Sequence, residues 1–181
     1  MMERHEIVLS GYGGQGVVLG GIILAEAAAV YDGLHATHNQ SYGPEARGGA
    51  SKSEVIISKG VIHYPEIEHP DILVALNQEA ADKYGPDLKE NGIFIVDSGC
   101  NPAKTKKKVK FFILPMVGTA IKIAGSEMVT NIVALGALAA VTKVVSRGAL
   151  EKAILSYVPK GTEELNLRAM NSGFEIPGQP V

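Results

Sequence analysis

Six residues near the amino terminus, Gly11-Tyr12-Gly13-Gly14-Gln15-Gly16, have the spacing G-x-G-x-x-G. Glycines of this kind allow a tight turn of positive φ and let another group approach bare backbone. The apolar run Ile7-Val8-Leu9 precedes them, and an apolar, alanine-rich segment, 17–30, follows. Strand, glycine turn and helix in that order leave N–H groups at the helix start facing outward as an anion site. Such a turn either receives a nucleotide-like phosphate or seats a partner. A nicotinamide site makes one more demand, an Asp or Glu about 20 residues on that holds the ribose. That region reads His35-Ala36-Thr37-His38-Asn39-Gln40, and Asp32 falls too early. A free-standing Rossmann-type oxidoreductase is therefore disfavoured.

A second group is Ser41-Tyr42-Gly43-Pro44-Glu45-Ala46-Arg47-Gly48-Gly49-Ala50-Ser51. Glycines beside a proline specify an unusual backbone course rather than a flexible linker. Arg47 offers a planar fork for a carboxylate or phosphate; a Glu45–Arg47 pair that only shapes the loop is the alternative. A loop of this sort at strand ends lies where α/β sheets place their sites, which favours contact with a ligand or another chain. Asn77, in Leu76-Asn77-Gln78-Glu79-Ala80, and Thr130-Asn131 stand at helix starts. Capping is the simpler role there, and contact with a channel or a neighbouring subunit is the other.

Machinery for chemistry is missing. There is no nucleophile elbow, Walker lysine or metal-ligand spacing, and the five histidines (5, 35, 38, 63 and 69) do not cluster. No catalytic residue and no metal ligand is assigned. Cys100 is the only cysteine, so an iron–sulfur cluster, which takes about four ligands, must belong to another chain. A net charge of −2 gives no electrostatic case for nucleic acid or an anionic membrane. The run Lys104-Thr105-Lys106-Lys107-Lys108-Val109-Lys110 reads as a solvated turn after Asn101-Pro102. The apolar stretches 17–30 and 132–141 fall short of the roughly 20 residues of a membrane span. With no signal-peptide core at the start, a cytoplasmic location is expected.

The elements that must position these groups alternate in type. Strands are expected at 6–10, 34–38, 54–58, 71–76, 93–96 and 110–114. Helices are expected at 15–32, 78–89, 117–124, 129–144, 147–157 and 163–171, then an extended tail from 173. Residues 39–51 read as irregular. Lys59-Gly60 reads as a tight turn into a strand at 61–63, a hairpin that adds an antiparallel element to a mostly parallel sheet. The alternation indicates a three-layer α/β/α, Rossmann-like mixed sheet. One domain of 181 residues is expected, with the sheet core over 1–128 and a helical part, 129–181, packed on it.

Together, the motifs at 11–16 and 41–49 resemble the gamma subunit of 2-oxoacid:ferredoxin oxidoreductases and the corresponding domain III of single-chain pyruvate:ferredoxin oxidoreductases. The likeness continues through Glu54-Val55-Ile56-Ile57-Ser58, Ala75-Leu76-Asn77-Gln78-Glu79-Ala80 and Asn131-Ile132-Val133-Ala134-Leu135-Gly136 to Glu164-Leu165-Asn166. The 41–49 motif is most similar to the 2-oxoglutarate branch, with the pyruvate and branched-chain branches as alternatives. The resemblance implies a subunit of an enzyme that oxidatively decarboxylates a 2-oxoacid with coenzyme A. The products are an acyl-CoA, carbon dioxide and reduced ferredoxin. Alpha, beta and ferredoxin-like delta subunits are the implied partners. Thiamine diphosphate and magnesium would lie between alpha and beta, iron–sulfur clusters on cysteine-bearing chains, and no cofactor on this chain alone. By the same likeness Gly11, Gly13, Gly14, Gln15 and Gly16 would meet coenzyme A. Ser41, Tyr42, Gly43, Pro44, Glu45, Arg47, Gly48, Gly49 and Asn77 would line the interface or substrate channel. No lysine stands within the glycine turn to pair with the phosphates, a departure that argues against tight binding by the isolated chain, and a pure scaffold subunit is a third reading. The isolated chain is expected to be inactive and able to pair as a homodimer.

Overall fold

β1 (Arg4–Tyr12) runs through the middle of a six-stranded sheet in a computed structural model that describes residues 4–41, 50–101 and 107–180. Its sequence explains that place, because Ile7 and Leu9 project to one face and Val8 to the other, and all three are buried. β4 (Ile72–Ala75), β5 (Ile93–Asp97) and β6 (Lys110–Leu114) extend the sheet in parallel on one side. On the other side β3 (Ala50–Ser58) pairs antiparallel with both β1 and β2 (His35–Ser41). The order is β2-β3-β1-β4-β5-β6. Register brings Ala50 opposite Tyr12 and Ser41 opposite Lys52. Ser41 and Ala50 therefore both lie at the carboxyl end of β1, beside the glycine turn.

The helices cover the two faces unequally. α1 (Val17–Glu26), α3 (Met116–Ala124), α4 (Thr130–Thr142), α5 (Arg147–Tyr157) and α6 (Glu163–Glu175) share one apolar cluster with Ile7, Leu9, Val55, Ile57, Val74 and Ile95. α2 (Gln78–Tyr84) covers the other face, where Ala80 and Ala81 pack with Val8, Leu73, Phe94 and Val96. This is the three-layer α/β/α arrangement with a mixed sheet. α4 is apolar all round and ten of its residues are buried, as a helix in the interior must be. Among the described residues no helix is long and apolar enough to cross a membrane.

Five expectations need correction. The antiparallel partner of β3 is not residues 61–63: β1 and β2 occupy both its edges, and Val61 is left exposed. Residues 39–41 and 50–51 are not irregular but belong to β2 and β3. The helix from Gln78 ends at Tyr84, followed by a single 3₁₀ turn at Gly85–Asp87, because Pro86 has no N–H to give and its ring crowds the preceding turn. The last helix runs through Gly173 to Glu175, since that glycine packs against α4 rather than ending α6. Helix 15–32 is divided as well, α1 passing into one π-helical turn at Ala27–Tyr31 before Gly33 takes φ +68°.

Candidate functional site

The glycine turn leaves β1 at Tyr12, whose carbonyl accepts the Gln15 N–H at 3.2 Å. Gly14 and Gly16 have φ of +102° and +69°, where a side chain is strained. Gln15 is buried and folds its side chain back, accepting the Tyr12 N–H on Oε1 at 3.1 Å. Gly11 lacks a side chain for a different reason, since a Cβ there would lie 2.4 Å from that Oε1. Gly13 has open space where its Cβ would be, so here bare backbone is free to be approached.

Two groups from the carboxyl half fasten the turn. Asn131, buried at the head of α4, donates from Nδ2 to the Gly16 carbonyl at 3.2 Å and accepts the Ile132 N–H on Oδ1 at 2.9 Å. Thr130 donates to the Glu127 carbonyl at 2.7 Å. This pair thus faces inward, Asn131 holding α4 to the glycine turn and Thr130 tying it to the 3₁₀ turn before it. Glu127 then accepts the Tyr12 hydroxyl at 2.5 Å and Gln15 Nε2 at 3.4 Å. That hydrogen bond, with partial burial and the carboxylate charge, holds the Tyr12 phenol above its ordinary range. α1 starts at Gly16 without a side-chain cap, so its N–H groups favour an anion, while Glu127 sets a negative charge beside the same turn.

Across the strand end, Ala50 begins the return limb of the second motif. Its N–H donates to Glu79 Oε1 at 3.2 Å and its carbonyl accepts the Tyr84 hydroxyl at 3.3 Å. α2 therefore anchors that limb. Ser41 closes β2, whereas Tyr42, Gly43, Pro44, Glu45, Arg47, Gly48 and Gly49 lie outside the described residues, and with them the Glu45–Arg47 pairing. Asn77 accepts the Ala80 N–H on Oδ1 at 2.8 Å and caps α2. Asp97, buried at the end of β5, accepts the N–H groups of Gly99 and Val117, both at 2.8 Å. Beside it Cys100 is half-buried, and burial, then the charges of Asp97 and Asp82, push its thiol up to about 11. Such a thiol is a poor nucleophile at neutral pH.

The carboxyl edge thus gathers the glycine turn, both ends of the second motif, Asn77 and Asp97. Glu127 and Asp97 are the site residues that motif reading misses, and Glu79 stands inside the 76–80 motif without a role assigned to it there. Asp97 carries one signal, its place after an apolar run; Glu127 carries none, standing 115 residues from Tyr12. Among the described residues no group of three His, Cys, Asp or Glu is placed to hold a metal ion. Two hollows, of about 200 and 280 Å³, lie at the amino end of the parallel strands around His5 and do not join this edge.

Residues 6–176 match the family described as pyruvate ferredoxin/flavodoxin oxidoreductase. The chain belongs to this family. The 2-oxoglutarate synthase subunit KorC of Methanocaldococcus jannaschii is 50% identical to this family member over 175 residues, 96% of this chain and 94% of that one. The keto/oxoacid ferredoxin oxidoreductase gamma subunit of Geobacter sulfurreducens is 51% identical with a TM-score of 0.87, covering 96% and 95% of the two chains. The 2-oxoglutarate:ferredoxin oxidoreductase of Magnetococcus marinus, solved with 2-oxoglutarate, coenzyme A and succinyl-CoA bound, is 25% identical with a TM-score of 0.84. That match covers 94% of this chain but 30% of the longer one, so there the family fold is one part of a larger polypeptide.

Proposed function

We propose that this chain is the gamma subunit of a cytoplasmic 2-oxoglutarate:ferredoxin oxidoreductase, which converts 2-oxoglutarate and coenzyme A to succinyl-CoA, carbon dioxide and reduced ferredoxin. The observation that carries the reading is the 50% identity to a 2-oxoglutarate synthase subunit over nearly the whole of both chains. The carboxyl edge supports it, being shaped for contact. In this reading alpha, beta and delta subunits bring thiamine diphosphate, magnesium and the iron–sulfur clusters. A lone cysteine cannot ligate a cluster, so the residues here do not fit that group.

The role assigned to this chain is to complete the complex and wall its coenzyme A channel. Gly13 offers backbone without a side chain, and the start of α1 favours an anion, both of which suit the coenzyme. Glu127 opposes a close grip on its phosphates, so the contact is one of shape more than charge. Residues 41–49 and the α2 start at Asn77 face the thiamine-bearing subunits. The test is to tag this chain, co-express it with the other subunits, and purify. Equimolar recovery with a thiamine-diphosphate protein and an iron–sulfur protein is expected, and recovery alone contradicts the assignment. Saturable micromolar binding of NADH to the purified chain would favour the nicotinamide reading instead.

A further inference from the structure

Beside the glycine turn, Leu19 of α1, Met128, Ile132 of α4, Tyr157, Val158 and Leu165 line a groove of about 220 Å³. Three of these side chains are more exposed than apolar groups usually are: Met128 at 75%, Tyr157 at 40% and Leu19 at 37%. The groove joins the turn directly, because Met128 follows Glu127, the residue bonded to Tyr12 and Gln15. Its volume is below the roughly 300 Å³ at which small-molecule pockets begin, and suits an inserted side chain better.

The charge around it is mostly negative. The segments that form its walls, 12–26, 126–132 and 157–166, contain Glu26, Glu127, Glu163 and Glu164 against the single cation Lys160. Glu26 accepts the Ser156 hydroxyl at 2.8 Å and is the first cause of a raised Tyr157 pKa, which sets it at the groove's edge. Among the described residues no ion pair neutralises Glu127. A second copy of this chain meeting the groove across a two-fold axis would bring the same carboxylates against these, which costs energy. A basic segment gains from them.

The geometry points to this groove as the docking site for a segment of a partner subunit that carries one bulky apolar side chain flanked by lysine or arginine. The apolar side chain fills the space between Leu19, Met128 and Tyr157, and the cations meet Glu127 and Glu26. The inference rests on the subunit role proposed above and names the face through which that role is exercised. It also gives Glu127 a second task, since the residue that fixes the turn also faces the partner.

The test uses the assembled complex. The dissociation constant of this chain from the remaining subunits is measured for wild type, Met128→Asp, Glu127→Gln and the control Val61→Asp, exposed at the opposite end of β1, with thermal melting to confirm that each folds. Met128→Asp is expected to weaken association at least tenfold. Glu127→Gln keeps a hydrogen-bond acceptor but loses the charge, and is expected to weaken it about threefold with a shallower salt dependence. Val61→Asp is expected to match wild type. Folded groove variants that associate like wild type overturn the inference and leave the subunit role standing. A wild-type chain that fails to associate at all overturns the role itself. Variants that abolish self-association while the complex assembles normally overturn the partner-segment reading in favour of a second copy.

Discussion

Asn131 Nδ2 lies 3.2 Å from the carbonyl of Gly16, and a Cβ added to Gly16 would lie 2.6 Å from the same nitrogen. The two residues are 115 positions apart, and each requires the other. The glycine keeps φ at +69° and leaves room; the asparagine fills that room with a hydrogen bond to the turn. Gly16→Ala is expected to lose this fit on both counts, strained backbone and crowded side chain, at about 2 kcal/mol or more. Asn131→Ala should reopen space without relieving the φ, so the double variant is expected to recover only part of the loss. Urea unfolding of the three variants checks this.

A second close approach holds the carboxyl half. A Cβ on Gly136 would lie 2.2 Å from the Met170 carbonyl oxygen, and one on Gly173 would lie 2.2 Å from that of Val133. α4 and α6 therefore meet backbone to backbone. Gly136→Ala or Gly173→Ala is expected to push the helices apart and cost at least about 2 kcal/mol, because the obstructing atoms are main chain and cannot rotate away. Gly148→Ala, where a Cβ meets nothing within 4 Å in α5, is expected to be neutral or slightly stabilising. Thermal denaturation separates the two outcomes.

Much of the fold is legible in the sequence, because buried strands of a parallel sheet read as continuous apolar runs. Ile72 to Ala75 and Ile93 to Val96 show it, and α5 falls at the expected residues. What was hidden depends on contacts between distant residues. Gly173 looks like a helix stop until Gly136 is set against it. Gly21 looks like a weakness in α1 until Ser53 and His38 are seen packed where its Cβ would be. The glycine turn was legible as a turn, whereas its acidic neighbour Glu127 was not, since no local pattern links it to Tyr12. Asn77 carried a full local signature and caps as that signature says.

His38 gives the fold a pH dependence. Its ring lies 2.8 Å from Ser53 Oγ under α1, and burial holds its pKa below the ordinary value of 6.5. A group whose folded pKa is lowered binds fewer protons in the native state than in the unfolded one. The stability it supports is full above about pH 6.5 and is lost as pH falls toward the folded pKa. Melting temperature is expected to drop between pH 7.5 and 5.5, and His38→Gln is expected to flatten that drop. An unchanged slope in the variant contradicts the assignment.

Cys100 is expected to resist alkylation in the folded chain. With its thiol pushed up to about 11, only a small fraction is thiolate at pH 8. Iodoacetamide labelling at pH 8 should be slow in the native protein and speed up several-fold in denaturant. Equal rates in both states contradict the burial and charge that raise it.

The central claim is that this chain works as part of a 2-oxoacid:ferredoxin oxidoreductase whose substrate is 2-oxoglutarate. The most direct measurement is coenzyme A-dependent ferredoxin reduction by the complex purified through a tag on this chain, with 2-oxoglutarate, pyruvate and a branched-chain 2-oxoacid in turn. The account predicts turnover with 2-oxoglutarate well above the other two, and its loss when this chain is left out of the assembly. Full activity without the chain, or no 2-oxoacid-dependent reduction with it, would contradict the account.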